Sequence, residues 1–315
     1  MHGDLEAALL SVWGTSSSDV WTVGSDSRDG QGPLVLHFDG SSWERIATGQ
    51  TGGDLWWVFG FGSGELYASG DGGTILRRDP ASGGFVRMNT PGTGTVYGIW
   101  GATPDELWAV GGESGGASGA FAWRLAGDTW TPAPGFPADL SRSDALWKVF
   151  GHGADDVWMV GTNGKAVHWD GTTLTPSFVG IAESLFTVHA NSSRFAAVGG
   201  SVSAVILERD IAAAPDAAWT DQTPKDAPGL TGVYLTDEVG YAVGQFGYIA
   251  KRGSSGWQPD PTGFETVFAT RGLHSVWIDP DGGGWTVGGY LLNPPLTDGI
   301  LLHQGSPIPN TRTGS

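Results

Sequence analysis

The feature that most constrains this chain is a sequence motif that recurs seven times along its length. The segment SVWGTSSSDVWTVG at 11–24 returns as GIWGATPDELWAVG at 98–111 and as KVFGHGADDVWMVG at 148–161, with four weaker copies elsewhere. The glycine that closes each copy recurs every 38 to 50 residues, at Gly24, Gly70, Gly111, Gly161, Gly199, Gly244 and Gly288. Repeats of this period are typical of solenoids, propellers and arrays. Seven copies occupy the whole sequence, so we expect a single domain.

Each repeat reads as four short strands joined by tight turns. Strand A is of the type LLSVWG and strand B of the type DVWTVG, strand C resembles PLVLHFDG, and strand D often opens with an aromatic residue. Short runs rich in Val, Trp and Ile, punctuated by Gly and Asp-Gly, indicate strands and turns. The predicted repeat units span 9–53, 54–94, 95–143, 144–183, 184–229, 230–265 and 266–315.

Strands A and B are apolar on both faces, which indicates sheets that are covered on both sides. Seven four-stranded antiparallel sheets, each packed between two neighbours around a central channel, make an all-β seven-bladed β-propeller. The 53 glycines and 16 tryptophans fit this architecture, with glycine in turns and tryptophan as a wedge between blades. We therefore expect most tryptophans to be structural.

The ends of the chain predict how the ring closes. HQGSPIPNTRTG at 303–314 aligns with HFDGSSWERIATG at 37–49 and places Ile308 at the position of Trp43. This alignment predicts that blade seven supplies its own outer strand and that the ring closes by packing of blade seven on blade one. An outer strand from residues 1–8 is the alternative, although MHGDLEAA has poor strand propensity.

The repeats resemble known propeller families in several details. LWAVGG (107–112), AAVGG (196–200) and GWTVGG (284–289) resemble kelch-type repeats; Trp130 or Trp219 follows the first two about twenty residues on. FDGSSWE (38–44) resembles an Asp-box turn that lacks one spacer residue, and the Trp-Gly doublets are similar to repeats of exported bacterial propellers of unassigned role. The last resemblance implies an extracellular or periplasmic location. The first ten residues lack the pattern of a secretory signal.

Charge and composition exclude several classes of partner. Asp and Glu number 33 against 16 Lys and Arg, which gives a formal net charge of −17. We expect no nucleic-acid partner, because such a chain repels a phosphate backbone. No apolar run reaches the roughly 18 residues that span a bilayer, so we expect no membrane insertion. The chain has no Cys, which excludes disulfides and thiolate ligands.

Candidate ligand-binding residues come from two adjacent positions in strand A, where residues from all seven blades converge on the channel mouth. The first position holds Leu10, Trp56, Tyr97, Trp147, Phe186, Thr231 and His274, and is mostly aromatic. The second holds Ser11, Trp57, Gly98, Lys148, Thr187, Gly232 and Ser275, and is small except for Trp57 and Lys148. One of these alternating positions should face the channel.

These residues predict a ligand-binding or protein-binding module. The candidate binding residues are Trp56, Trp57, Tyr97, Trp147, Lys148, Phe186 and His274. Aromatic faces bind sugar rings, organic cations and apolar groups, so the expected ligand is a small molecule, a glycan or a protein segment at the channel mouth. We expect a monomer that uses no cofactor. Packing between the blades is the alternative role for the aromatic residues.

Two other functions remain open at this point. A propeller lyase or hydrolase would use His274 as a base and Lys148 to stabilise a developing anion. A structural scaffold would instead bind proteins through its outer strands or loops. We expect no metal site: His37, His168 and His303 share one strand-C position but belong to distant blades, and Asp26 and Asp29 lack the spacing of a calcium loop.

Overall fold

The chain folds into seven four-stranded sheets. The computed structural model describes residues 2–113, 119–138, 140, 144–214, 216–260, 270–306 and 308. Over these residues it contains 28 strands and two 3₁₀ turns, Thr162–Gly164 and Gln245–Gly247. All pairings within the seven sheets are antiparallel, and the innermost strands pack against one another around a common axis. The predicted all-β, seven-bladed β-propeller is therefore confirmed.

Six blades use four consecutive strands, ordered from the channel outward. Blade one contains β2 (Leu9–Ser16), β3 (Asp19–Asp26), β4 (Pro33–Phe38) and β5 (Trp43–Arg45), and blade two contains β6 (Leu55–Gly60), β7 (Leu66–Gly70), β8 (Thr74–Arg78) and β9 (Phe85–Arg87). Blade three contains β10 (Val96–Thr103), β11 (Glu106–Gly111), β12 (Phe121–Ala126) and β13 (Thr129–Pro132), and blade four contains β14 (Leu146–Gly153), β15 (Asp156–Gly161), β16 (Lys165–Trp169) and β17 (Leu174–Phe178). Blade five contains β18 (Leu185–Ala190), β19 (Arg194–Gly199), β20 (Val205–Asp210) and β21 (Thr220–Asp221), and blade six contains β22 (Leu230–Leu235), β23 (Gly240–Gly244), β24 (Ile249–Gly253) and β25 (Gly256–Pro259).

Blade seven closes the ring differently from the main expectation. It contains β26 (Gly272–Ile278), β27 (Gly284–Tyr290), β28 (Thr297–Gln304) and, as its outer strand, β1 (His2–Ala7) from the start of the chain. The prediction that residues near Ile308 form this strand is wrong: Leu5 pairs with Gly299, and Ala7 pairs with Thr297. Leu5 and Ala7 are buried while Glu6 between them is exposed, so a short alternation outweighs poor strand propensity. The first and last strands of the described residues are thus hydrogen-bonded within one sheet.

The hydrophobic core lies between neighbouring blades. One cluster joins Trp100 and Trp108 of blade three to Val149 and Met159 of blade four. Trp43, Trp108, Trp130 and Trp285 are among the largest fully buried side chains. This burial confirms that these tryptophans are wedges between blades. The described residues contain no helix long and apolar enough to cross a membrane.

The Trp-Gly doublets are explained by contacts between blades. A Cβ at Gly14 would lie 2.8 Å from the ring of Trp277 in blade seven, and one at Gly60 would lie 2.7 Å from the ring of Trp13 in blade one. Gly151 is covered in the same way by Trp100. The tryptophan of one blade therefore occupies space that the glycine of the next blade leaves open. A larger residue in place of the glycine would separate the two blades.

Candidate functional site

A backbone irregularity places the first candidate position in the channel. In every blade the pairing of strand A with strand B shifts at this residue, as at Trp56, which lies between the paired residues Leu55 and Trp57. A bulge of this kind leaves one residue outside the ladder and redirects its side chain. The glycine that ends strand B makes the bulge possible: a Cβ at Gly70 would collide with the carbonyl oxygen of Asp54.

Four of the bulged residues form a continuous aromatic wall across blades two to five. The ring centroids of Trp56 and Tyr97 are 5.4 Å apart, those of Tyr97 and Trp147 are 4.6 Å apart, and those of Trp147 and Phe186 are 6.0 Å apart. On the other side, Trp56 lies 6.0 Å from the imidazole of His274. The rings meet at interplanar angles of 71°, 57° and 61°, so they form a curved wall and not a flat stack.

This wall encloses a cavity of about 330 Å³ at the channel mouth. Its lining residues are Trp56, Tyr97, Trp147, Lys148, Phe186, Thr231, His274, Leu291 and Leu296. The size lies at the lower end of the range for small-molecule sites, about 300–1,000 Å³. Six of the seven candidate residues therefore border one space, although they come from five different blades.

The seventh candidate, Trp57, lies beside the cavity and does not line it. Its indole N–H donates to the carbonyl oxygen of Ile99 at 3.0 Å, and the ammonium nitrogen of Lys148 lies 3.6 Å from the centre of its ring. Lys148 reaches this ring from blade four by crossing blade three at Gly98, where a Cβ would lie 3.2 Å from the lysine Cδ. The two large residues at the second position are therefore partners in one cation–π contact.

Burial changes the protonation of both basic groups of the cavity. Desolvation holds the pKa of Lys148 well below its usual value of 10.5. Burial also lowers the pKa of His274 to about 4; the charge of Lys148 adds to this shift, and the bond to the Leu10 carbonyl opposes it. His274 is thus neutral at pH 7, with Nδ1 donating to the Leu10 carbonyl oxygen at 2.5 Å. The Lys148 ammonium donates to the carbonyl oxygen of Tyr97 at 2.8 Å.

Two cavity residues, Leu291 and Leu296, come from the loop between β27 and β28 and not from strand A. The long insertion after β27 brings both side chains against Leu10 at the mouth. The hydroxyl of Ser25 in blade one donates to the Leu296 carbonyl oxygen at 2.6 Å, which fixes the loop to its neighbour. Apolar residues in a long loop are the sequence feature that could have indicated this lining role, but the same feature also fits a surface that contacts a partner.

Acidic residues at the rim serve mainly to support the wall. The carboxylate of Asp71 accepts from the Trp56 indole N–H at 3.0 Å and from the Thr95 hydroxyl at 3.2 Å. Burial raises the pKa of Asp54, and the nearby charges of Asp71 and Asp26 add to that shift.

Asp29, which the sequence analysis considered as a calcium ligand, forms an ion pair with Arg45. No group of three or more His, Asp or Glu side chains in the described ranges is arranged to hold a metal ion.

The three strand-C histidines each pack against the tryptophan that faces them in strand B of the same blade, and the rings of two pairs are stacked. His37 lies 4.0 Å from the ring of Trp21, and its Nε2 is 2.7 Å from the Asp19 carboxylate. His168 stacks on Trp158 at 4.4 Å. The same strand-C position holds Arg124 over Trp108 in blade three. This position therefore covers a structural aromatic ring, and the histidines belong to separate blades.

The face that carries the mouth also exposes apolar side chains beyond the cavity. Phe178 ends the outer strand of blade four, and Val202, Phe246 and Leu292 lie in the turns between strands B and C of blades five to seven. Both kinds of position lie at the end of the ring where strand A begins. Among the described residues, four of the five exposed large hydrophobic side chains therefore share this face.

Comparison with known proteins defines the class of protein and no family. No protein-family model and no curated protein sequence matches the chain. Solved structures do match: YCF48 bound to D1 peptide aligns over 96% of this chain and 93% of that chain, with a TM-score of 0.68 and 15% identity. YCF48 from Cyanidioschyzon merolae aligns over 95% and 96%, with a TM-score of 0.65 and 15% identity. At such identity the similarity establishes the propeller fold.

Two further matches are parts of larger bacterial proteins. The extracellular domain of the putative hybrid two component system BT3049 from B. thetaiotaomicron aligns over 89% of this chain, with a TM-score of 0.65 and 10% identity. The extracellular domain of the putative one component system BT4673 from the same organism aligns over 97%, with a TM-score of 0.65 and 14% identity. This chain spans 38% and 40% of the lengths of those two chains.

Proposed function

We propose that the protein is a binding module that receives a compact apolar or aromatic group of a small molecule in the mouth cavity. The observation that carries this proposal is the wall of Trp56, Tyr97, Trp147 and Phe186 around a space of about 330 Å³. Such rings are costly to leave facing water, and they gain contact area when an apolar group enters. A concave, mainly apolar site with a few polar groups is typical of small-molecule binding.

The geometry favours a compact group over a glycan. Sugar rings bind best on a flat, exposed aromatic face, whereas these rings are tilted against each other by about 60–70°. Apart from the Tyr97 hydroxyl and the indole N–H groups of the wall, the lining has polar side chains at Lys148, Thr231 and His274 alone. Several buried sugar hydroxyls would then lack partners, which costs about 1–3 kcal/mol each.

Two phenylalanines provide a matched test of the site. Phe186 lines the cavity, whereas Phe178 is on the same face but 64% exposed and outside the cavity lining. With indole as the probe in titration calorimetry, Phe186→Ala should weaken binding about threefold to tenfold, the range of one aromatic contact. Phe178→Ala should leave indole affinity unchanged. Equal effects of both substitutions, or no binding of indole to the wild type, would contradict the proposed site.

A protein segment that docks over the mouth is the second candidate. The exposed Phe178, Val202, Phe246 and Leu292 favour it, because apolar side chains gathered on one face indicate a contact surface. YCF48, a fold relative, has been solved with a bound peptide. In this case Phe178→Ala and Phe246→Ala would weaken capture of the segment while leaving indole binding intact, which separates the two candidates.

An extracellular or periplasmic location forms part of the same proposal. Its support is that two of the fold relatives are extracellular domains. Fractionation of the source cells, followed by detection of the protein with an antibody, tests the location directly. Recovery only in the cytosolic fraction would contradict it.

A further inference from the structure

The cavity has one lysine and no acid to pair with it. Lys148 is the only Lys or Arg among the described residues that line the cavity, and none of them is Asp or Glu. The lysine is only 4% exposed. No carboxylate among the described residues lies within ion-pair distance of its ammonium group. A buried charge normally has a counter-charge, so this arrangement needs an explanation.

The rest of the molecule shows that counter-charges are available. Acidic residues outnumber basic ones by 33 to 16. The buried carboxylate of Glu208 bonds with Arg194 and Arg252, and Lys165 pairs with Asp144. Arg209 also lacks an ion pair in the described structure, but its guanidinium donates to the carbonyl oxygens of Ala213, Ala214 and Ala217. Lys148 has one hydrogen bond, to a backbone carbonyl, and no ion pair among the described residues.

The donors of the lysine can be counted. An ammonium group has three N–H bonds. One points to the Tyr97 carbonyl oxygen, and the face of the Trp57 ring accepts a second by a cation–π contact. The third remains for the cavity that Lys148 lines. The crossing over Gly98 and the fixed indole of Trp57 hold the ammonium group in place, so the donor is oriented before any ligand arrives.

We propose that the mouth cavity binds a small aromatic monocarboxylate, with its ring against Trp56, Tyr97 and Trp147 and its carboxylate on the ammonium group of Lys148. This inference rests on the proposed function and specifies the ligand class. A carboxylate provides the missing counter-charge, and a planar ring matches the aromatic wall. A single cation suits a monoanion, because a phosphate dianion would bring a second charge that nothing in the lining compensates.

The protonation of the lysine gives this site a second signature. Burial lowers the pKa of Lys148, and an adjacent carboxylate favours the charged form and raises that pKa again. The groups that face the amine of Lys148 are His274, which is neutral at pH 7, the backbone carbonyl of Tyr97 and the ring of Trp57. Binding of the acid should therefore raise the pKa of Lys148. At pH values above the pKa of the free protein's amine, this shift appears as proton uptake, which is measured as a calorimetric enthalpy that depends on the buffer.

The test compares indole-3-acetate, indole and tryptamine, which share one ring system and differ in charge. On the wild-type protein, indole-3-acetate should bind about tenfold or more tightly than indole, as expected for one charge-assisted hydrogen bond, and tryptamine should bind most weakly. Lys148→Met keeps an apolar chain over Gly98 but removes the charge, so it should abolish the advantage of the acid over indole. Lys225→Met removes a lysine that is 91% exposed and should alter none of the three affinities.

The outcomes separate this inference from the proposed function. If indole binds but the acid binds no more tightly, or if Lys148→Met weakens both probes equally, the carboxylate site is wrong and the cavity is a neutral apolar site. If neither indole nor the acid binds the wild type, both proposals fail. If Lys148→Met does not fold, the ranking of the three probes and the buffer dependence of the enthalpy on the wild type decide the question.

Discussion

Truncation of Leu5 to alanine tests whether the first strand closes the ring. The leucine is 5% exposed and packs in the cluster that joins blades seven and one, together with Val12 and Trp285. Removal of a buried leucine side chain to Cβ costs about 2–5 kcal/mol. We expect about 2–3 kcal/mol here, because β1 is an outer strand near the chain end, where its neighbours can partly relax. The measurement is guanidinium denaturation of the full chain, followed by tryptophan fluorescence.

The adjacent residue provides the control for this experiment. Glu6 lies in the same strand and is exposed, so Glu6→Ala should change the free energy of unfolding by no more than about 0.5 kcal/mol. Both substitutions leave strand pairing available, and they differ only in whether the lost side chain is buried between blades. Equal unfolding midpoints for the two variants would refute closure by the N-terminal strand.

Two further predictions concern the packing of the blades. Gly151→Ala should destabilise the fold by about 1–3 kcal/mol, because the new methyl group would overlap the Trp100 ring, whereas Gly253→Ala meets no atom within 4 Å and should be close to neutral in the same denaturation assay. Burial favours a higher pKa for Glu208, but hydrogen bonds and charge from two arginines and an indole outweigh it and lower that pKa below its usual 4.5. This carboxylate therefore contributes stability above about pH 4.5 that is lost as the pH falls through the lower folded-state value. The difference in unfolding free energy between wild type and Glu208→Gln should shrink on acidification below pH 4. As a control, Asp128→Asn at a solvent-exposed ion pair should cost under about 1 kcal/mol at any pH. A difference for Glu208→Gln that does not depend on pH would contradict the argument.

The sequence was sufficient to predict the fold because the repeat fixes the geometry several times over. Every copy contains the same apolar strands and the same closing glycine, so one copy supports the interpretation of the next. The ring of channel residues followed from this register alone: Trp56, Tyr97, Trp147 and Phe186 share a position, and seven equal wedges bring that position to one axis. The β-bulge that redirects these side chains has no signature beyond the glycine opposite it.

The end of the ring was mispredicted because strand propensity carries little information at an edge. The segment HGDLEA contains Gly, Asp and Glu, which are depleted in strands. In the folded chain the open edge of β28 supplies a pairing partner, and the two buried side chains of β1 supply the apolar contact. The pairing partner lies nearly 300 positions away along the chain, so no local pattern could show it. The alignment of Ile308 with Trp43 did predict one contact correctly, because Ile308 packs against the hydrophobic cluster that contains Trp43.

The lysine of the channel shows why outliers in a repeat need the closed ring before they can be interpreted. Trp57, Gly98 and Lys148 occupy one repeat position in three consecutive blades. Comparison with the other copies shows that Trp57 and Lys148 are unusually large for this position, whereas Gly98 is typical of it. In the structure they depend on each other: the lysine needs the glycine to pass and the indole to receive its charge. A substitution at Gly98 should therefore displace the ammonium group without touching the cavity wall. The residues that all blades share determine the fold, and a residue that departs from the repeat is free to serve another role. This exception to the repeat is therefore where we expect the ligand to be recognised.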